Sequence, residues 1–385
     1  MNVAELVNGG KSDINITLDT DIDLTGKDWT PIGTDYDNSY KGTFDGGGHT
    51  ITGLTFTTND EYVGLFGWLN RAGTVKNVVM EGVQITSNQI YGGSIGGVVG
   101  YSWGTIENCS VSGSVSGTVY VGGVVGAQIG GSITGCSSSA TVKGTVDVGG
   151  VAGQTNSSAT LTACYATGNV TIEINPAKNI AGGSLVGMNA GSSLLACYAT
   201  GNVTSTGSST GKVHIGGFLG NNYTTVTAGY WKNNHEQGIG YNRESTGATK
   251  VDGSVVTWQK AVDAINTALQ NVDPWSGLFP FGDDWVLVKG ACDSMRLDFA
   301  RLWNRTTGEV LRIRPGMFGS EKLEHIGRLS DGRVVLTTLR SHVGQVVHFP
   351  ADFWNFLRTA SCPQMLEPMQ ACEALYPDIP LTLPE

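Results

Sequence analysis

The sequence predicts a mainly β fold: a parallel β-helix built from a repeat, a capping helix beside it, and a small α+β module at the end. Three observations carry this. Gly-Gly pairs followed by apolar residues recur at Gly96-Gly97, Gly122-Gly123, Gly149-Gly150, Gly182-Gly183 and Gly216-Gly217. A landmark follows 12 to 14 residues after each pair: Cys109, Cys136, Cys164, Cys197 and then Gly229. Short runs around the landmarks alternate polar and apolar residues at period two, the signature of half-buried strands.

Each copy spans 26 to 34 residues. "GLFGWLNRAGTVKNVVMEG" from Gly64 reads as an earlier copy without Cys. Hairpins would throw the landmarks out of phase. Stacking copy on copy keeps them in phase, with equivalent strands pairing in parallel about 4.8 Å apart. The Gly pairs are expected at sharp corners, where a positive φ or a close backbone approach is needed. Ile95, Val98 and Val99 flank such a corner and are expected in the core. A flexible Gly/Ser linker would not hold apolar landmarks in register over so many residues.

Composition agrees with a folded chain. Gly reaches 56 of 385 residues and charged residues only 15%, but 40% of the chain is hydrophobic and nine residues are Trp. That apolar content offsets ordering entropy. The formal net charge of −10 argues against a nucleic-acid partner. No continuous apolar run reaches the length of a membrane span. The stretch after Met1, "NVAELVNGG", has neither a basic region nor an apolar h-region, so no secretory signal is read there.

Lys and Arg divide the chain. Residues 1–290 hold 11 of 12 Lys but only Arg71 and Arg243; residues 291–385 hold Lys322 and nine Arg. The expected organisation is therefore an N-terminal cap with entry strands (1–60), the repeats (61–234), a C-terminal cap with an amphipathic helix (235–290) and the α+β module (291–385). In the N-terminal cap, Ile16, Leu18, Ile22 and Leu24 share one strand face. In the C-terminal cap, Trp258, Ala261, Val262, Ile265, Ala268 and Leu269 recur at helical spacing, with Ser254 as the expected N-cap. In the last module, "GEVLRIRPG" and "DGRVVLTTLRSHVGQVVHFP" read as strands, and "ADFWNFLRTA" and "CPQMLEPMQACEALYP" as helices.

"DIDLTGKDWTPIG", "YKGTFDGGGHTITGL", "GLFGWL" and the repeated "GGVVGYSWGTIENCSVSG" and "GGVAGQTNSSATLTACYATGNV" resemble the GLUG-motif proteins over about residues 3–275. These are Bacteroidetes-type secreted or surface-attached repeat proteins, and GLUG repeats also occur as accessory segments of some immunoglobulin-A proteases. The resemblance implies a right-handed parallel β-helix, an extracellular or cell-surface setting, and an adhesin-like role in contact with glycans or host proteins. No family resemblance is recognised in the C-terminal module.

The residues themselves favour binding over catalysis. Carbohydrate lyases and hydrolases built on β-helices need paired carboxylates. Between residues 86 and 234 the only acids are Glu107, Asp147 and Glu173. Exposed aromatics are the better candidates: Tyr91, Tyr101, Trp103, Tyr120, Tyr223 and Trp231 fall near corners, where rings stack on sugars or anchor interfaces. A glycan-active enzyme and a structural fibre or stalk are the alternatives. No cofactor is implied, apart from a weak Ca²⁺ candidate at Asp19, Asp21 and Asp23, which period two places on one strand face. Cys109, Cys136, Cys164 and Cys197 lack metal-ligand spacing. They read as a structural, buried ladder of thiols.

Overall fold

The computed structural model describes residues 3–90, 92–175, 178–243, 247–270, 277–281, 285–289, 300–304, 310–313, 322–328, 334–340, 343–348 and 366–368, with side chains through Leu269. It divides into two units, Met1–Pro274 and Trp275–Glu385.

The first unit is a parallel β-solenoid of about seven turns. Three parallel sheets run along it. Sheet 1 includes Thr74–Lys76, Thr105–Glu107, Val125–Thr134, Ala152–Thr162 and Val186–Ala190. Sheet 2 includes Val79–Ser87, Ser110–Ser116, Tyr165–Ala166 and Tyr198–Ala199. Sheet 3 has six strands: Tyr62–Val63, Ser94–Gly96, Tyr120–Gly122, Asp147–Gly149, Ile180–Gly183 and Val213–Gly216. Register partners repeat the sequence period, as in Ser94↔Tyr120↔Asp147↔Ala181↔His214.

One interior column per strand fills the core. Ile95, Val121 and Val148 are fully buried in sheet 3, and Val99 and Val125 are fully buried in sheet 1. The corner between sheets 1 and 2 is made by a left-handed residue in six successive turns: Asn77, Asn108, Gly135, Ala163, Ala196 and Ala228. Each lies immediately before the landmark column. The parallel ladder continues across this bend. Asn108 N–H donates to Thr134 O (2.8 Å) on one side, and Ser137 N–H to Cys109 O (2.9 Å) on the other. Cys109, Cys136, Cys164 and Cys197 follow the bend, buried and unoxidised. Each thiol donates to the carbonyl two residues before it, as Cys164 Sγ does to Thr162 O (3.3 Å).

The Gly pairs do something different from supplying positive φ. None of the five pairs is left-handed. They allow close approach where sheet 3 folds back onto sheet 1. A Cβ on Gly96 would lie 2.7 Å from Val125 Cα, and one on Gly100 would lie 2.5 Å from Val63 N. No side chain fits between the two sheets there.

A buried amide ladder also runs within sheet 1. Thr155 Oγ1 donates to Asn189 Oδ1 (3.1 Å), Asn189 Nδ2 to Asn222 Oδ1 (2.8 Å), and Asn222 Nδ2 to Asn242 Oδ1 (2.8 Å). Stacked identical positions let each amide satisfy the next.

Two helices flank the solenoid. Helix α1, Val3–Asn8, is not evident from the sequence, being too short to show a period. It buries Ala4 and Val7, and Gly10 (φ 103°) follows its end. Helix α2, Trp258–Gln270, buries Ala261, Val262, Ile265 and Leu269 on one face. Its cap is Thr257, whose Oγ1 accepts from Lys260 N–H (3.3 Å), rather than Ser254. Ser254 instead joins a turn closed by the Asp252 carboxylate, which also accepts from Val255 and Val256. Trp258 meets Tyr198 of sheet 2 edge-on at 5.9 Å.

In the second unit the described residues form two four-stranded antiparallel sheets. One comprises Gly277–Phe281, Trp285–Lys289, Ala300–Asn304 and Val310–Ile313. The other comprises Lys322–Arg328, Val334–Arg340, Val343–His348 and Leu366–Pro368. The first sheet extends across residue 290, where a domain boundary is expected from the sequence, because Trp285–Lys289 pairs with Ala300–Asn304. A helix is expected over 362–377, yet Leu366–Pro368 is a strand paired with Gln345–Val347. The physical reason is local: Pro363 and Pro368 bracket the segment, and Pro is tolerated at the ends of edge strands. The helix expected over 351–360 lies outside the described residues.

An aromatic seam as candidate functional site

Sheet 3 and sheet 1 meet along a seam. Strand alternation aims Val121 and Val148 inward, so Tyr120 and Asp147 face the other way, toward the seam. The sheet 3 side of the seam is Tyr62, Ser94, Tyr120, Asp147, Ala181 and His214. The sheet 1 side runs Trp68, Tyr101, Ala127, Gln154, Met188, Asn221 and Tyr241.

Rings from the two sides touch. Trp68 and Tyr101 lie tilted at 4.2 Å, Tyr62 meets Trp68 edge-on at 4.6 Å, and Tyr62 meets Tyr101 at 5.5 Å. Tyr36, 71% exposed, extends the group and meets Trp68 edge-on at 6.0 Å. Trp68, Tyr62, Tyr101 and Tyr120 are half-buried. Such rings keep faces and edges available while their neighbours hold them rigid. Desolvation raises the phenols of Tyr62, Tyr101 and Tyr120, so they stay neutral hydroxyls. At the far end of the seam His214 stacks on Tyr241 at 5.0 Å, and Tyr223 tilts against Tyr241 at 5.8 Å.

The described aromatic residues read from the sequence fall in more than one place. Tyr101 and Tyr120 belong to the near group and Tyr223 to the far one. Trp103 reaches the Tyr101 hydroxyl and also lies under Arg71, whose guanidinium carbon sits 5.2 Å over the ring. Trp231 is corrected: it is 6% exposed and part of the core, with its ring against Gly217 and Gly238. Tyr91 lies outside the described residues. Tyr36, Tyr62 and Trp68 were missed. Trp68 was within reach, because "LFGW" and "VVGY" align as successive copies and place Trp68 directly beside Tyr101.

The acidic residues are used elsewhere. Asp21 Oδ1 accepts from Thr50 N–H (2.9 Å) and contacts His49 Nδ1 (3.2 Å). Asp23 Oδ1 accepts from Thr25 N–H (2.8 Å), and the Thr25 hydroxyl together with that amide holds its carboxyl below the usual range. Among the described residues no group of three or more His, Cys, Asp or Glu side chains converges on a metal position, at Asp19, Asp21 and Asp23 or elsewhere. Glu173 pairs with Lys143 at 2.7 Å. Asp147 differs from all of these. It is 5% exposed, and burial pushes its carboxyl up to about 7.

Comparison with known proteins fits this architecture. The GLUG motif model matches residues 91–116 and 117–143. Halomucin of Haloquadratum walsbyi is 36% identical over 121 residues, which is 29% of this chain and 1% of that protein. A protein of Evansella cellulosilytica named "Putative Gly-rich membrane protein" is 38% identical over 100 residues, 24% of this chain and 11% of that one. The chain thus spans a small fraction of either relative's length. Among solved structures, one described as a "putative immunoglobulin A1 protease" from Bacteroides ovatus superposes with a TM-score of 0.53. It covers 73% of this chain and 87% of that one at 20% identity, a likeness of fold alone. Among the described residues no helix is long and apolar enough to cross a membrane. The turns that hold Tyr101 and Tyr120 thus match two consecutive GLUG motifs within the β-solenoid.

Proposed function

We propose that the chain is a non-catalytic, adhesin-like solenoid of a secreted or cell-surface protein, and that the aromatic seam binds carbohydrate. The observation that carries this reading is the packed group of Trp68, Tyr101 and Tyr62, half-exposed and held by its own edge contacts. Rigid rings lose little entropy on contact and present apolar faces to sugar C–H groups. The names of the two relatives, "Halomucin" and "Putative Gly-rich membrane protein", support a surface setting.

The test is a glycan panel probed with the full chain and with Trp68→Ala and Tyr101→Ala. Losing a central ring costs about 1.4–3 kcal/mol, or roughly ten- to hundredfold in affinity. Wild-type retention of at least one glycan, lost in both variants, is the expected result. Unchanged binding by the variants, or no retention by the wild type, would overturn the reading.

A further inference from the structure

The middle of the seam is built differently from its aromatic ends. Among the described residues no group hydrogen-bonds to or ion-pairs with the Asp147 carboxylate, although the residue is 5% exposed. Across the seam, Asn221 carries a buried Oδ1 that accepts no hydrogen bond. The two lie one rung apart. Asp147 pairs with Ala181, and a Cβ on Gly220, next to Asn221, would lie 2.7 Å from Ala181 C. Ala181 is the smallest side chain on its side of the seam. Rings stand on both flanks, Tyr120 on one and the His214–Tyr241 stack on the other.

Both groups are acceptors, and only the Asn221 oxygen is fully cut off from solvent. A buried carboxylate without a counter-charge is costly, and an orphan amide oxygen adds to the cost. A ligand that repairs both must bring donors, and a cation repairs the carboxylate best. Flanking π faces favour a cation further. The same groups repel an anion.

We propose that the middle of the seam is a subsite for the protonated amino group of an amino sugar, with Asp147 as its counter-ion and Asn221 Oδ1 accepting from a neighbouring hydroxyl. This inference rests on the carbohydrate-binding reading of the seam and narrows it to one class of sugar.

Calorimetric titration of the full chain tests it, using glucosamine oligomers, N-acetylglucosamine oligomers, a polyuronate and polylysine. Glucosamine oligomers bind about tenfold or more tightly than their N-acetylated counterparts. Asp147→Asn, which keeps the side-chain shape, abolishes that preference, and the polyuronate does not bind. Equal affinity for the two oligomers, or a preference that survives in Asp147→Asn, would overturn the proposal while leaving sugar binding intact. Binding of polylysine alone would overturn it in favour of a basic protein partner. If no sugar binds at all, the parent reading falls with it.

Discussion

Asp147→Asn has a consequence for stability that can be worked out in advance. The unfolded carboxyl titrates near 3.8, and burial in the seam lifts it to about 7. The native state therefore holds the proton more tightly than the unfolded chain. Stability contributed by this group is fully present below about pH 4 and is lost as pH rises through about 7. The interval is about 3 pH units, and each unit is worth about 1.4 kcal/mol, so the native state gives up roughly 4 kcal/mol by pH 8. Asn cannot ionise. The variant should match the wild type at pH 4 and exceed it by up to about 4 kcal/mol at pH 8. Other carboxyls shift the opposite way: hydrogen bonds hold Asp35 and Asp252 below their usual range, so they weaken the protein in acid. They are common to both proteins and cancel in the difference. Urea unfolding followed by Trp fluorescence at pH 4, 5.5, 7 and 8 measures it, taking the solenoid transition separately because two units need not unfold together. A difference that stays constant across pH would refute the claim that Asp147 is desolvated and unpaired.

Three further outcomes follow from the packing. Asn189→Ala removes the central member of the amide ladder and strands Thr155, Ser192 and Asn222; about 3 kcal/mol should be lost in urea unfolding, and a loss under 1 kcal/mol would contradict a buried ladder. Gly100→Ala places a methyl group against the Val63 backbone and should cost about 3 kcal/mol or more, whereas a neutral effect would mean that the two sheets can separate. Iodoacetamide followed by peptide mapping should leave Cys109, Cys136, Cys164 and Cys197 unmodified in the native protein and label all four in urea. Burial raises the Cys164 thiol and keeps it inert, so native labelling of that residue would count against a dry column.

The repeat, its period and helix α2 were legible because each is periodic, and periodicity survives in a single sequence. The glycine roles were only half legible. Gly96 and Gly100 serve close approach, while the true left-handed positions include Ala163, Ala196 and Ala228. Alanine carries no sequence signal for that conformation, which ordinarily costs about 1–2 kcal/mol. Only the stacked ladder on both sides of the bend explains why it persists. The seam was partly legible, since Tyr101 and Tyr120 stand out as aromatics. Asp147 was visible as one of few acids, but its burial was not. Period two turns it away from the core, and only the collapse of sheet 3 onto sheet 1 removes it from water.

That collapse has an architectural consequence. From Ile95 to Val99, Val121 to Val125, Val148 to Ala152, Gly182 to Val186 and Ile215 to Leu219, the chain crosses the fold-back in an identical four-residue stride. Length differences between turns fall in connections between sheet 2 and sheet 3, such as 207–212. Insertions can accumulate there without displacing a single ring. From Ile95 to Leu219 the seam thus keeps its spacing like the teeth of a comb, while the sheet 2 to sheet 3 connections absorb the differences in length.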